Sequence, residues 1–116
     1  MSIDKTTARH LLRELEVDHW LTAGMSYSPK TFVTQNLRSL PQLEMLLRPN
    51  GKYYPSLHLG KMTEWVRLSV GDELLAQELE KVCASDKSYY EQCLSCHALV
   101  KERCDRLRRA AEVDDA

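Results

Sequence analysis

The sequence predicts an all-α protein, a single compact domain over residues 1–116 with five or six helices and a long amphipathic helix at its C-terminal end. Two observations lead to this prediction. Apolar residues recur at helical spacing in most segments between turn signals. In addition, the segment from about Lys87 to about Ala111 contains neither glycine nor proline, so nothing interrupts a helix about 37 Å long.

Three helices are predicted in the N-terminal half. Asp4 is placed to cap the first, and Gly24 is a natural end for it. Ser28-Pro29 combines an N-cap with proline at the first helical position, which predicts a second helix. Pro41 interrupts that helix or begins a short third one. The apolar faces of these helices are Ala8, Leu11, Leu12 and Leu15; Phe32, Val33 and Leu37; and Leu43, Leu46 and Leu47.

The middle of the chain begins with a predicted turn at residues 48–51. Residues 52–60 are aromatic with a central proline, which indicates a loop, or else a short extended segment at Tyr53-Tyr54. Helical spacing returns around Met62–Val66. Ser69 and Asp72 then resemble a capping box before a further helix that carries Leu74, Leu75, Leu79 and Val82. Residues 112–116 form an acidic tail that we expect to be frayed.

The last predicted helix places its cysteines on an apolar stripe. On this interpretation cysteine acts as a small buried hydrophobe. Because the stripe is close to a heptad seam, self-association as a homodimer through this helix is a further hypothesis. The residues of the stripe are Tyr89, Cys93, Cys96, Val100, Cys104, Leu107 and Ala111.

The same cysteines suggest two alternatives. Cys93-Leu94-Ser95-Cys96-His97 spells C-x-x-C-H, the attachment motif of c-type haem. A thiol- or metal-based sensor could instead use Cys83, Cys93, Cys96 and His97. However, Cys93 and Cys104 would lie about 16 Å apart along one helix axis and could not share an ion. The sequence therefore favours no metal and no cofactor.

Two other groups of residues are candidate contact sites. Tyr53, Tyr54, His58 and Trp65 could line a ligand pocket, although an ordinary aromatic core explains them as well. A basic face on the last helix could meet phosphates, which makes nucleic-acid binding a second alternative, but acidic residues are interleaved with it and the formal net charge is only −1. The basic residues are Lys101, Arg103, Arg106, Arg108 and Arg109.

These patterns predict a non-enzymatic interaction or regulatory module with a protein partner. No nucleophile motif or phosphate-binding glycine loop is present, so no catalytic residue is assigned. The N-terminal residues have no basic region before an apolar run, and four cysteines crowd into the last third of the chain. We therefore expect a cytoplasmic protein with reduced thiols and no membrane contact.

Residues 60–66, Gly-Lys-Met-Thr-Glu-Trp-Val, and residues 69–76, Ser-Val-Gly-Asp-Glu-Leu-Leu-Ala, resemble a family of prokaryotic domains of unknown function. That family's pattern reads N-D-F-x-x-W-[IV] followed by L-G-D-x-x-L-A. The similarity extends upstream to Thr22-Ala23-Gly24, to Leu40–Leu43 and to the aromatic pair Tyr53-Tyr54 near His58, and it covers about residues 8–82. Gly60-Lys61-Met62 departs from N-D-F, and Val70 replaces a leucine. The resemblance implies a compact helical module without known catalytic residues.

Overall fold

The computed structural model describes residues 3–28, 31–49 and 53–112. Five α-helices and three strands are joined by a 3-10 turn at Val17–His19 and a π-helical turn at Val66–Val70. In chain order the elements are α1 Lys5–Leu12, β1 Leu21–Ser28, β2 Thr31–Leu37, α2 Leu40–Leu47, β3 Tyr54–Ser56, α3 Leu59–Trp65, α4 Glu73–Cys83 and α5 Tyr89–Ala111.

The prediction of an all-α domain, a bundle of five or six helices, is wrong. The strands form one antiparallel sheet in the order β2-β1-β3, so the protein belongs to the α+β class. In the register, Gly24 of β1 lies opposite Thr34 of β2 on one side and Ser56 of β3 on the other. A β-bulge near Ser26 ends the regular pairing close to the hairpin tip.

The sequence of the hairpin explains the correction. Residues 21–28 alternate larger and smaller side chains with a period of two, which suits a strand with two different faces. Thr31–Leu37, expected to be the body of a helix, is rich in β-branched and aromatic residues that pack well on a pleated surface. Pro29, the expected start of that helix, lies outside the described residues.

The starts of the helices follow the local signals in the sequence, but α1 ends at Leu12 and not at the expected Gly24, which lies in β1. Asp4 caps α1 by accepting the Thr7 amide, and Pro41 stands in the first turn of α2. In place of the expected capping box at Ser69, Asp72 itself caps α4 by accepting the Leu75 amide. Ser88 caps α5. Asn50 and Gly51 of the expected turn, and residues 113–116 of the expected tail, lie outside the described residues.

α5 lies at the centre of the helical part and packs against α1, α2 and α4. Cys96, Val100, Cys104 and Leu107 on this helix are all fully buried, so the middle of the predicted stripe is confirmed as a core face. Tyr89, predicted to belong to the stripe, is instead 45% exposed. The seam proposed for self-association is therefore occupied by the protein's own helices.

The sheet has one face toward the core and one toward solvent. Ala23 and Leu37 lie on the inner face and are buried, with Leu37 next to the start of α2. On the outer face, Thr22, Thr34 and Asn36 are exposed. The side chains on the outer face of the sheet are therefore accessible to solvent and to a binding partner.

Candidate binding cleft

An apolar cleft of about 420 Å³ opens between β3 and the beginning of α5. It is lined by Tyr54, Pro55, Tyr89, Tyr90 and Cys93, and we call it the tyrosine cleft. A smaller cavity of about 90 Å³ shares four of these residues and extends toward the end of α2. The larger cleft falls within the size range of small-molecule and peptide side-chain pockets.

Tyr89 fixes α5 to the β3 segment. Its hydroxyl accepts the Leu57 amide at 3.1 Å and lies 3.0 Å from the carbonyl oxygen of Pro55, to which it can donate. Burial raises the pKa of Tyr89 to about 12, so the hydroxyl keeps its proton and remains a donor. This tyrosine therefore holds the two walls of the cleft together.

Tyr54 and Tyr90 form the outer rim of the tyrosine cleft. Their rings meet nearly edge to face, with centroids 6.2 Å apart. They are 67% and 55% exposed, which leaves large aromatic surfaces in water. Covering such rings with a partner would remove apolar area from solvent, and tyrosine is among the residues that most often dominate binding energy.

The chemistry of the cleft favours binding over nucleophilic catalysis. Cys93 is 4% exposed at the base of the cleft, and burial raises the pKa of its thiol. A thiol that stays protonated is a weak nucleophile, because the thiolate is the reactive form.

The outer face of the sheet adds a third exposed ring near the tyrosines. The ring of Phe32 covers Gly24 so closely that a Cβ on Gly24 would lie 2.2 Å from its Cζ atom. Phe32 is nevertheless 58% exposed. Since Tyr54 projects from the same face, the exposed aromatic surface continues from the cleft onto the sheet.

Of the four residues predicted to line a pocket, only Tyr54 lines the tyrosine cleft. The Tyr53 ring packs against Tyr27 at a tilt of 52°, with centroids 5.4 Å apart, and its hydroxyl lies 3.2 Å from two carbonyl oxygens of α2, to either of which it can donate. His58 caps α3, with Nδ1 accepting the Lys61 amide. Trp65 is 6% exposed and donates from Nε1 to the His19 carbonyl at 2.7 Å.

The cysteine and histidine group is dispersed among other partners. Cys83 is half-buried, with its sulfur 3.7 Å from Thr63 Oγ1. Cys96 is fully buried, and that burial raises its pKa to about 12. His97 Nε2 lies 2.8 Å from Glu44 Oε2. Among residues 3–28, 31–49 and 53–112, no three His, Cys, Asp or Glu side chains are grouped so that they could hold a metal ion.

Most of the basic face is neutralised within the protein. Arg103 turns inward and binds the buried Asp72 with two nitrogens, at 2.7 and 3.0 Å. Other members pair with carboxylates on their own helix: Lys101 and Arg108 with Asp105, and Arg106 with Glu102. Arg109 is exposed. A surface whose cations are already paired attracts phosphates less strongly.

Sequence reasoning did not find Tyr89 and Tyr90 as site residues, since Tyr89 was assigned to the core stripe. A signal existed: four of the five tyrosines occur as two adjacent pairs, at 53–54 and 89–90. It could not be used, because only the fold brings β3 beside the start of α5.

Comparison with protein-family models, with curated proteins and with solved structures finds no match for this chain. The resemblance described above therefore stays a prediction. In the described part of the chain, no helix combines the length and apolar character needed to cross a lipid bilayer.

Proposed function

We propose that this protein is a non-enzymatic interaction module that binds a partner protein at the tyrosine cleft. The observation that carries the proposal is the cleft itself, an apolar cavity of about 420 Å³ rimmed by two tyrosines that are more than half exposed. Exposed contiguous apolar surface on a folded protein is typical of an interaction site.

The composition of the rim favours a protein over a charged ligand. Every lining residue of the tyrosine cleft is aromatic, proline or cysteine, so a phosphate or carboxylate group would find no cationic side chain among them. Tyrosines offer large rigid rings with hydroxyls at their edges, which suits partners that present both apolar side chains and backbone polar groups.

The two alternative functions draw less support from the described residues. A metal sensor lacks a grouped ligand set, and its thiols are mostly buried and protonated. Nucleic-acid binding would rely on cations that are largely paired with carboxylates. The proposal also includes a cytoplasmic location, because the four cysteines are unpaired thiols and three of them are core residues.

The test begins with a photo-crosslinking amino acid at position 90 in the native cell, followed by identification and purification of the trapped protein. The dissociation constant of the complex between the trapped protein and this chain is then measured for wild type, Tyr90→Ser and Tyr54→Ser. Loss of one buried tyrosine contact should weaken binding at least tenfold, as is typical of hot-spot residues.

Leu74→Ser is the matched control, since Leu74 is 66% exposed but lies on α4, outside the cleft. We expect it to bind like wild type. Equal affinity for all four proteins would reject the tyrosine cleft as the binding site, and so would trapping the same protein equally well from position 74.

A further inference from the structure

The two edges of the sheet differ in how well they are protected against pairing with another strand. Edge strands expose unpaired N–H and C=O groups, and proteins usually shield them by shortness, proline, charge or a covering element. β3 has three of these features: it is three residues long, Pro55 stands in its middle, and the Tyr89 hydroxyl contacts its Pro55 carbonyl.

β2 has none of these protections in the described structure. It is seven residues long, Thr31-Phe32-Val33-Thr34-Gln35-Asn36-Leu37, with no charged residue, proline or glycine. β1 pairs with one of its sides, and no described strand pairs with the other. Its first four residues are exposed on both faces of the sheet, with Phe32 58% and Val33 43% exposed.

We propose that two copies of this chain pair antiparallel through the outer edges of β2, so that one six-stranded sheet runs across a homodimer. This inference is independent of the tyrosine cleft, which lies beside β3 at the opposite edge of the sheet. It assigns a role to the edge that the described strands and helices leave unprotected.

Charge and symmetry favour a second copy as the occupant. A two-fold antiparallel arrangement places β2 against itself, and because residues 31–37 carry no charge, no like charges are opposed within the paired strands. The residues that would meet are β-branched, aromatic and amide side chains, which form favourable cross-strand pairs. A charged partner strand would find no complementary charge on β2.

The geometry also predicts that association stops at two. An isologous interface uses the same surface on both subunits and closes on itself. Because β3 is protected, each protomer has one open edge among its described strands, and in the dimer these two edges pair with each other. A chain with two open edges would instead extend into a fibre.

The test is the molar mass in solution, by light scattering and sedimentation equilibrium over a wide concentration range. We expect a concentration-dependent shift to twice the 13.4 kDa mass of one chain.

Thr34, at the middle of β2 and exposed, is changed in separate proteins to Lys and to Glu. Each variant alone should dimerise about fivefold more weakly or worse, because like charges meet across the interface. An equimolar mixture of the two should regain or exceed the wild-type affinity.

Ser56→Lys is the control, since Ser56 is exposed on β3 at the protected edge. It should leave the dimer constant unchanged. Amide hydrogen exchange of wild type provides a second readout: protection in β2 should rise with protein concentration. The proposal would be overturned by a molar mass that stays monomeric or that exceeds the dimer. It would also be overturned by a dimer whose dissociation constant is unaffected by both Thr34 substitutions and whose β2 amide exchange does not change with concentration.

Discussion

Asp72 joins two helices with one carboxylate. Its oxygens accept the Leu75 amide at the start of α4 and two nitrogens of Arg103 on α5, while its side chain is only 1% exposed. Since Arg103 is 15% exposed, neither charge has full access to water. The pair therefore satisfies groups that would be costly to leave unpaired in the interior.

We predict that Asp72→Asn lowers the free energy of unfolding by about 3–5 kcal/mol, because it leaves the Arg103 charge buried without its partner. Urea unfolding followed by circular dichroism measures the change. Asp105→Asn is the matched control: it removes an exposed partner of Lys101 and should cost at most about 1 kcal/mol. An equal decrease in the free energy of unfolding in the two variants would show that burial of the Asp72–Arg103 pair does not increase its contribution to stability.

Glu44 is a second buried carboxylate, held between α2 and α5. Arg48 binds both of its oxygens, at 2.6 and 3.0 Å, and His97 lies 2.8 Å from one of them. The Arg48 hydrogen bonds are the main reason that the pKa of Glu44 falls to about 2, while burial opposes the shift and His97 assists it. The folded state therefore favours the ionised carboxyl.

This depressed pKa predicts a pH dependence of stability. The stabilisation is fully present above the usual carboxyl pKa of 4.5 and is lost as the pH falls through that value toward 2. It is on the order of 3 kcal/mol. The free energies of unfolding of wild type and Glu44→Gln should thus differ most near pH 7 and converge near pH 2. A difference that stays constant between pH 4.5 and 2 would contradict the pKa shift.

At the scale of elements, Tyr89 connects the first turn of α5 to the segment after β3. Its hydroxyl is the hydrogen-bond partner of the Leu57 amide, and no helix or strand bond replaces it in the described structure. Removing the hydroxyl would leave this amide dependent on water and loosen one wall of the tyrosine cleft.

We predict that Tyr89→Phe costs about 1–2 kcal/mol of unfolding free energy, the typical penalty for breaking such a bond. Amide exchange at Leu57 should accelerate in this variant. Tyr90→Phe serves as the control, since Tyr90 is 55% exposed and a surface change of this kind stays within about 0.5 kcal/mol. If the Leu57 amide exchanges at the same rate in both variants, the Tyr89 hydroxyl does not protect it and does not hold α5 to the segment after β3.

The elements also show what could be predicted from the sequence. Helices such as α2 and α5 depend on caps and on spacing within a few turns, and these signals were sufficient to predict them. For α1 they located the start at Asp4 but not the end at Leu12. The strands depend on partners farther away: Gly24 pairs with Thr34, ten residues along the chain, and with Ser56, 32 residues along the chain. Period-two alternation in residues 21–28 was a usable local signal, but Gly24 was interpreted as a helix end.

The candidate site was less predictable than the fold for the same reason. The tyrosine cleft combines Tyr54 with Tyr90, from segments that only tertiary packing brings together. Tyr54 was chosen from the sequence because it stands in an aromatic stretch. Its expected neighbours His58 and Trp65 instead cap a helix and fill the core, because side chains that adjoin in sequence need not share a surface.

At the scale of the whole molecule, exposed apolar side chains are unevenly distributed. Of the eleven large apolar side chains that are exposed in the described residues, eight lie on the sheet, on α2 or on the first turns of α5. The tyrosine cleft and the open edge of β2 therefore both lie in this more apolar part of the surface, at opposite edges of the sheet. The eight are Tyr27, Phe32, Val33, Met45, Tyr54, Tyr89, Tyr90 and Leu94.

Both proposed interfaces exist only if the hairpin forms and pairs with β3. Backbone nuclear Overhauser effects on the labelled protein measure this directly. We predict cross-strand contacts from Gly24 to Thr34 and to Ser56, with strong sequential Hα–HN contacts through residues 21–28 and 31–37. Contacts between residues three and four apart over 31–37, without cross-strand ones, would show the helix expected from the sequence and contradict the sheet.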